Sequence, residues 1–318
     1  VKHLLFALLF ISPPWLKPWL LRTIGGARIG KHVKIGWFAS ISAKNIQIGD
    51  YSEIRALTLI NCDKAIQIGR YSIVSSFNLI YGAADFILGD HVYVGPQSLI
   101  NVEETVKIGN HSALGARTMI FTHGSFFPYT KGYWVKFGPV TIGDQVWCAA
   151  GVFIHPGVSI GDHVFVNSRS VLKDDVPSNA VMEGFPAQQI GELSRLQRRI
   201  SGKRLDQISQ QMLQHFAQII LVEKWDLPIP TMHEQTLHFS YHQREYRIGS
   251  HSIYRTLNPE ANVTTIALLG EQNQQTPLIS GLWIDLIQHT RPSTQDPVFE
   301  ALCEFLQRYY GIQLEFIE

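Results

Sequence analysis

The apolar positions in the first 190 residues repeat every six. A short phrase, an aliphatic residue then Gly then a polar residue, recurs at Ile29-Gly30-Lys31, Ile48-Gly49-Asp50, Ile68-Gly69-Arg70, Leu88-Gly89-Asp90, Ile108-Gly109-Asn110, Ile142-Gly143-Asp144 and Ile160-Gly161-Asp162. Successive phrases are 19, 20, 20, 20, 34 and 18 residues apart. Within them runs the finer period, as in Ile29, Ile35 and Ile41, or Ile142, Cys148, Ile154, Ile160, Val166 and Leu172. Four residues after each lead aliphatic stands a small or β-branched residue: Val33, Ser52, Ser72, Val92, Ser112, Val146 and Val164. A helix repeats at 3.6 and a flat strand at 2, so neither explains a period of six. The pattern predicts short strands joined at corners, three hexads to a coil of about 18 residues, with stacked coils sharing one core. Equivalent residues of neighbouring coils then lie about 4.8 Å apart.

One interval breaks the rule. The 34 residues from Ile108 to Ile142 exceed one coil by about 15, and the excess falls after Ile120. It contains His123 and the aromatic residues Phe126, Phe127, Tyr129, Tyr133 and Trp134. A loop ejected from a regular solenoid is a candidate functional feature.

Beyond Ala187 the period stops. Ile190, Leu193, Leu196 and Ile200, then Ile208, Met212, Phe216, Ile219 and Ile220, recur at three and four, which predicts helix with a break at Gly202. Trp225 to Pro230 reads as a linker. Thr236–Ile248, Thr264–Leu269, Leu278–Ile287 and Ile312–Ile317 read as strands, and Pro297–Tyr310 as an amphipathic helix. The expected organisation is an apolar capping segment (1–24), the repeat domain (25–190), a helical segment and linker (191–230), and a small α+β domain (231–318) with no recognisable catalytic motif.

Composition narrows the function. Lys+Arg is 27 and Asp+Glu 26, so there is no broad basic field for nucleic acid. Cys62, Cys148 and Cys303 form no CxxC pair, which fits a reducing, cytoplasmic setting. The apolar run Leu4–Ile11 is too short to span a bilayer. The stretch Trp15–Arg22 mixes indoles with cations, a pattern that suits either a helix capping the repeat domain or peripheral contact with the inner face of a membrane. His32, His91, His111 and His163 share one place in their hexads, and His91 and His111 are expected to stack on an outer edge. They converge on no third ligand, and no metal is expected.

These motifs resemble the hexapeptide-repeat acyltransferases, especially the O-acetyltransferases of bacterial surface polysaccharides, over about residues 13–190. The likeness rests on Trp15-Leu16-Lys17 through Gly30-Lys31, on Gly138-Pro139-Val140-Thr141-Ile142-Gly143-Asp144-Gln145-Val146-Trp147, on His155-Pro156-Gly157-Val158-Ser159-Ile160-Gly161-Asp162, and on Asp175-Val176-Pro177 with Gly184-Phe185-Pro186-Ala187. It implies a mainly β fold, a left-handed parallel β-helix, a homotrimer, and acetyl-CoA held between subunits. Two places depart from the family pattern: Lys173 and Asp174 stand where Thr-Lys is usual, and Asn167-Ser168-Arg169 is bulkier than the Gly-rich norm.

On this resemblance His123 is the general base, since a neutral imidazole suits deprotonation of an alcohol near pH 7. Ile100 and Ile120 are 20 residues apart, so repeat arithmetic places Glu103 one coil before His123, as an orienting carboxylate. Ala149 and Ala150 are candidates for the amides facing the thioester oxygen, and with Ser168 and Lys173 they make the expected acetyl-CoA contacts. Phe126, Tyr129, Tyr133 and Trp134 are expected to face a sugar or glycan acceptor. Cys148 falls at an inward place and is expected to be inert. N-acetylation of an amino sugar, or a non-catalytic trimeric scaffold, remain alternatives to O-acetylation of a sugar hydroxyl.

Overall fold

A computed structural model describes the chain except residues 1, 126, 199, 234–235, 251–262, 271–281 and 318. It divides into two compact units, Val1–Gln197 and Arg198–Glu318.

The first unit is mainly β and built as a parallel β-helix with three faces. The first sheet runs from Arg28–Ile29 to Ser159–Ile160, and the third from Ser40–Ser42 to Val171–Leu172, each seven strands deep. The second begins at Lys34–Ile35 and ends on the only antiparallel pair of that sheet, Ala180–Gly184 with Ala187–Glu192. Register follows the repeat: Ile48 pairs with Ile68, Leu88 with Ile108 and Ile100 with Ile120. Across the long interval Ile108 pairs with Ile142, so the extra residues leave the coil without disturbing it. The lead aliphatics Ile35, Ile54, Val74, Val94, Leu114, Cys148 and Val166 are buried in one continuous core.

The recurring phrase has a mechanical reading. Where the residue after Gly is Asp or Asn, it accepts a backbone N–H from the coil before it: Asp50 from Lys31, Asp90 from Arg70, Asn110 from Asp90, Asp144 from Asn110 and Asp162 from Asp144. Gly is required because a Cβ on Gly69 would collide with the carbonyl of Gly89. The next residue turns with positive φ (His32, Tyr51, Tyr71, His91, His111). Those five rings stack in sequence at 4.7–5.2 Å between neighbouring centroids. The small residue that follows is buried, and where it is Ser it bonds across coils, as Ser72 Oγ does to Gly89 O at 2.8 Å.

Helix α1 (Lys2–Ile11) and helix α2 (Lys17–Thr23) close the first coil. Lys17 is fully buried, and its Nζ donates to Gly36 O at 2.7 Å and Ala39 O at 2.8 Å. Burial pulls this ammonium down from 10.5 to about 8.

The second unit holds a seven-stranded mixed sheet in the order Thr231–His233, Thr236–Tyr241, Arg244–Ser250, Val263–Leu269, Leu282–Asp285, Thr290–Pro292, Glu315–Ile317. The stretch read as one strand from Thr236 is two, hinged at His242 and Gln243, both with positive φ. Part of the expected strand Leu278–Ile287 lies outside the described residues. A break falls at Gly202 as expected: a short helix spans Leu193–Leu196 and the next begins at Gly202 and runs to Phe216, capped by Ser201, whereas Ile190 lies in the strand Ala187–Glu192 and not in a helix. Its Met212, Leu213 and Phe216 are buried with Ile248, Ile266, Phe299 and Phe305. This segment, expected to be helical, packs in the core of the second unit. The helix Pro297–Tyr310 is capped by Asp296, which accepts from Val298 N and Phe299 N and also from the Tyr246 hydroxyl at 3.0 Å.

Candidate active site

The ejected loop leaves the third face after Met119–Ile120. Its ends are tied together: His123–Gly124 pairs antiparallel with Lys136–Phe137, and the rings of His123 and Phe137 stack at 5.7 Å. His123 is therefore fixed at the root of the loop, at the corner between the third and first faces.

Its partner is Asn101. Asn101 stands on the outer side of the third sheet, in register with the exposed Tyr81, yet it is only 1% exposed because the loop root covers it. His123 Nδ1 lies 2.9 Å from Asn101 Oδ1. The Thr122 amide faces the same oxygen at 3.4 Å, and its hydroxyl lies at 3.0 Å. A backbone N–H can only donate, so the atom it faces is the amide oxygen. An amide oxygen can only accept, so His123 Nδ1 carries the proton. The lone pair then sits on Nε2, the nitrogen a general base uses.

Glu103 does not share this arrangement. Its carboxylate accepts the backbone N–H of Ala83 at 3.1 Å. The equal spacing fails because Thr122 tucks inward, its hydroxyl accepting from Glu104 N at 3.0 Å. His123 thus meets Asn101 and not the residue twenty places earlier. Asn101 was missed because counting assumed an undisturbed coil; its signal is a polar side chain where a loop departs.

Of the two alanines, Ala149 donates its N–H to Val166 O at 2.9 Å and is spent in the coil ladder. Ala150 N–H has no hydrogen-bond partner among the described residues. Ser168, exposed, stacks one coil beyond Ala150, whose carbonyl accepts from Arg169 N. These residues form the corner between the second and third faces, a full face away from His123. One face is a hexad, about 20 Å at full extension, so a single chain does not bring the two groups together. Lys173 is exposed in the outward column of Phe121 and His155, its Nζ 5.6 Å from the Phe185 ring centroid. His155, packed on Phe153, is held below its usual range by burial and then by the charges of Lys173 and Lys136.

Among the loop aromatics Tyr129, Tyr133 and Trp134 are exposed, and Phe127 stacks on Tyr133 at 4.7 Å. Phe126 lies outside the described residues. Cys148 is fully buried in the core and its thiol is pushed up to about 12, which rules out a covalent acyl-cysteine. No group of three or more His, Cys, Asp or Glu among the described residues is placed to hold a metal.

The first unit is thus a hexapeptide-repeat β-helix with a histidine-bearing loop, and comparison with known proteins agrees with that class: the chain resembles the hexapeptide-repeat acetyltransferases. It is 41% identical over 56 residues to galactoside O-acetyltransferase of Escherichia coli (strain K12), a stretch that is 18% of this chain and 28% of that protein. It is 44% identical over 54 residues to a putative colanic acid biosynthesis acetyltransferase, WcaF, of the same organism, 17% of this chain and 30% of the relative. The chain spans less than a third of the length of these curated relatives. Among solved structures, a hexapeptide-repeat acetyltransferase of Vibrio cholerae complexed with acetyl-coenzyme A is 22% identical, with a TM-score of 0.34 over 60% of this chain and 85% of that one. No family model matches the chain.

Proposed function

We propose that this protein transfers an acetyl group from acetyl-CoA to a sugar hydroxyl of a surface polysaccharide or its lipid-linked precursor, in the cytoplasm, with His123 as general base. The observation that carries the reading is the Asn101–His123 hydrogen bond, which leaves the Nε2 lone pair at the mouth of an ejected loop. Acetyl-CoA, as co-substrate, supplies the thioester. His123 Nε2 takes the hydroxyl proton as the sugar oxygen attacks the thioester carbonyl. The imidazolium is stabilised by Asn101 while it forms, and it returns the proton to the departing CoA sulfur. The products are the acetyl ester and free CoA.

In this reading the coil is left-handed, the protein is a homotrimer, and the Ala150 amide of one subunit completes the site at His123 of its neighbour. An exposed apolar strip supports self-association: Leu57, Phe77, Leu79, Tyr81 and Met119 lie on the third face and its leading corner, each at least 36% exposed. Ser168 extends the Ala150 corner toward CoA, Lys173 offers it a cation from the far edge of the third face, and Tyr129, Tyr133 and Trp134 offer flat apolar surface for a sugar ring.

The test is CoA-thiol release by the purified chain with acetyl-CoA and a panel of acceptors. Release with hydroxyl sugars supports the reading. Release with amino sugars alone assigns N-acetylation, and no release with any acceptor leaves a scaffold.

A further inference from the structure

The capped end of the β-helix carries chemistry that the reaction does not use. Helix α1 buries Leu5 and Leu9 against the first coil, and its Phe6 carbonyl accepts from Ser40 Oγ at 2.6 Å. Its opposite side is Leu4, Ala7, Leu8 and Ile11, spaced as one helical stripe, all exposed and all apolar. Leu4 and Ile11 are 77% and 69% exposed. Trp15 and Trp19 follow at 78% and 55%. A helix apolar on every side belongs in a nonpolar medium on both sides.

Charge tells which medium. Residues 1–49 hold seven Lys and Arg and no Asp or Glu, and the first acid is Asp50. Residues 50–318 therefore hold 20 Lys and Arg against 26 acids, from the totals of 27 and 26. A chain near neutrality is thus polarised, with its positive charge at the capped end. Lys17 is buried, but Arg28, Lys31, Lys34 and Lys44 are exposed on the first coil, directly beneath the two helices. No helix among the described residues is long and apolar enough to cross a membrane. An apolar stripe followed by indoles and ringed by cations fits a helix lying flat, with indoles at headgroup depth and cations on the lipid phosphates.

We propose that the capped end of the β-helix is a docking surface for an anionic lipid membrane, with α1, Trp15 and Trp19 entering the interface and Arg28, Lys31, Lys34 and Lys44 ringing it. Docked this way, the coil axis stands off the membrane and the His123 loop, four coils further along, sits above the lipid surface. The inference does not depend on the acetyl-transfer reading.

Vesicle co-sedimentation of the full chain tests it, with vesicles of phosphatidylcholine alone and of equal parts phosphatidylcholine and phosphatidylglycerol. The expected result is at least tenfold stronger partition onto the anionic vesicles, weakened by salt. The variant Trp15→Ser/Trp19→Ser and the variant Lys31→Gln/Lys34→Gln/Lys44→Gln should each lose tenfold or more, with unchanged circular dichroism and unchanged oligomeric mass. All five side chains are exposed, so folding is not at risk. Wild-type chain that ignores anionic vesicles, or variants that bind as well as wild type, would overturn the proposal. So would an oligomer that falls apart when the indoles are removed, because a second copy would then be the occupant.

Discussion

Replacing Asn101 with Ala removes one acceptor from two donors, and the structure separates the consequences. The Thr122 amide, buried, loses its only acceptor among the described residues, which costs stability by about 1–3 kcal/mol. The Thr122 hydroxyl keeps the Asn101 carbonyl at 3.1 Å. For His123 the loss differs between ground and transition states. A neutral imidazole forfeits about 0.5–1.5 kcal/mol, an imidazolium about 1.5–3. The difference of about 1–1.5 kcal/mol lowers turnover about 5- to 15-fold. Release of the ring from one tautomer and one orientation adds to this, for an expected fall in kcat of about 10- to 100-fold. The KM for acetyl-CoA should hardly move, since the proposed CoA contacts Ala150 and Ser168 lie at another corner. Steady-state thiol-release kinetics give the split. Asn101→Asp still accepts from Nδ1 and should retain most of the turnover, with the acidic limb of the pH profile moved upward by the added carboxylate. Turnover of the Ala variant within twofold of wild type would refute the reasoning.

Three further outcomes follow from the same contacts. Glu103→Gln should leave kcat within about threefold of wild type, because its oxygen serves Ala83 N and an amide oxygen can do the same; a loss of hundredfold in thiol release would restore Glu103 as the partner of His123. Lys17 should make the first unit more stable as pH rises from about 8 to 10.5: its folded value is depressed, so the unfolded chain binds more protons in that window and unfolding free energy climbs, by at most about 3 kcal/mol. Urea unfolding of wild type against Lys17→Met should show a stability difference that grows in favour of wild type over that range, and a flat difference contradicts it. Truncation after Gln197 should leave CoA binding and oligomeric mass intact, because the two cores share no residue, whereas truncation at Trp225 should give aggregation by exposing Met212, Leu213 and Phe216; calorimetric titration with CoA and light scattering check both.

The repeat domain was legible because its physics is local and periodic. Each coil turns inward at an aliphatic and clears its neighbour with a Gly, and in five of the seven phrases an Asp or Asn caps that neighbour, so the phrases report one geometry. The 34-residue interval likewise announced the loop, and the loop announced His123. Periodicity also caused the error at Glu103. Counting by twenty holds only while the coil is undisturbed, and Thr122 turns inward where the loop begins, which hands the imidazole to Asn101. The oxyanion amide shows the same limit. Composition pointed to two small residues, but only the ladder shows that Ala149 is spent and Ala150 is not. In the second unit nothing repeats. The hinge at His242–Gln243 and the burial of Gly202–Phe216 in the sheet's core depend on contacts distant in sequence, which a hydrophobic pattern read window by window does not contain.

Everything proposed about the reaction passes through one nitrogen, and His123→Ala tests it. With an acceptor found by thiol release, the variant should lose about 10² to 10⁴ in kcat. CoA affinity by calorimetric titration should stay within a few-fold of wild type, and mass and circular dichroism should be unchanged, because a half-buried side chain at a loop root adds little to the core. Turnover within a few-fold of wild type would contradict the mechanism.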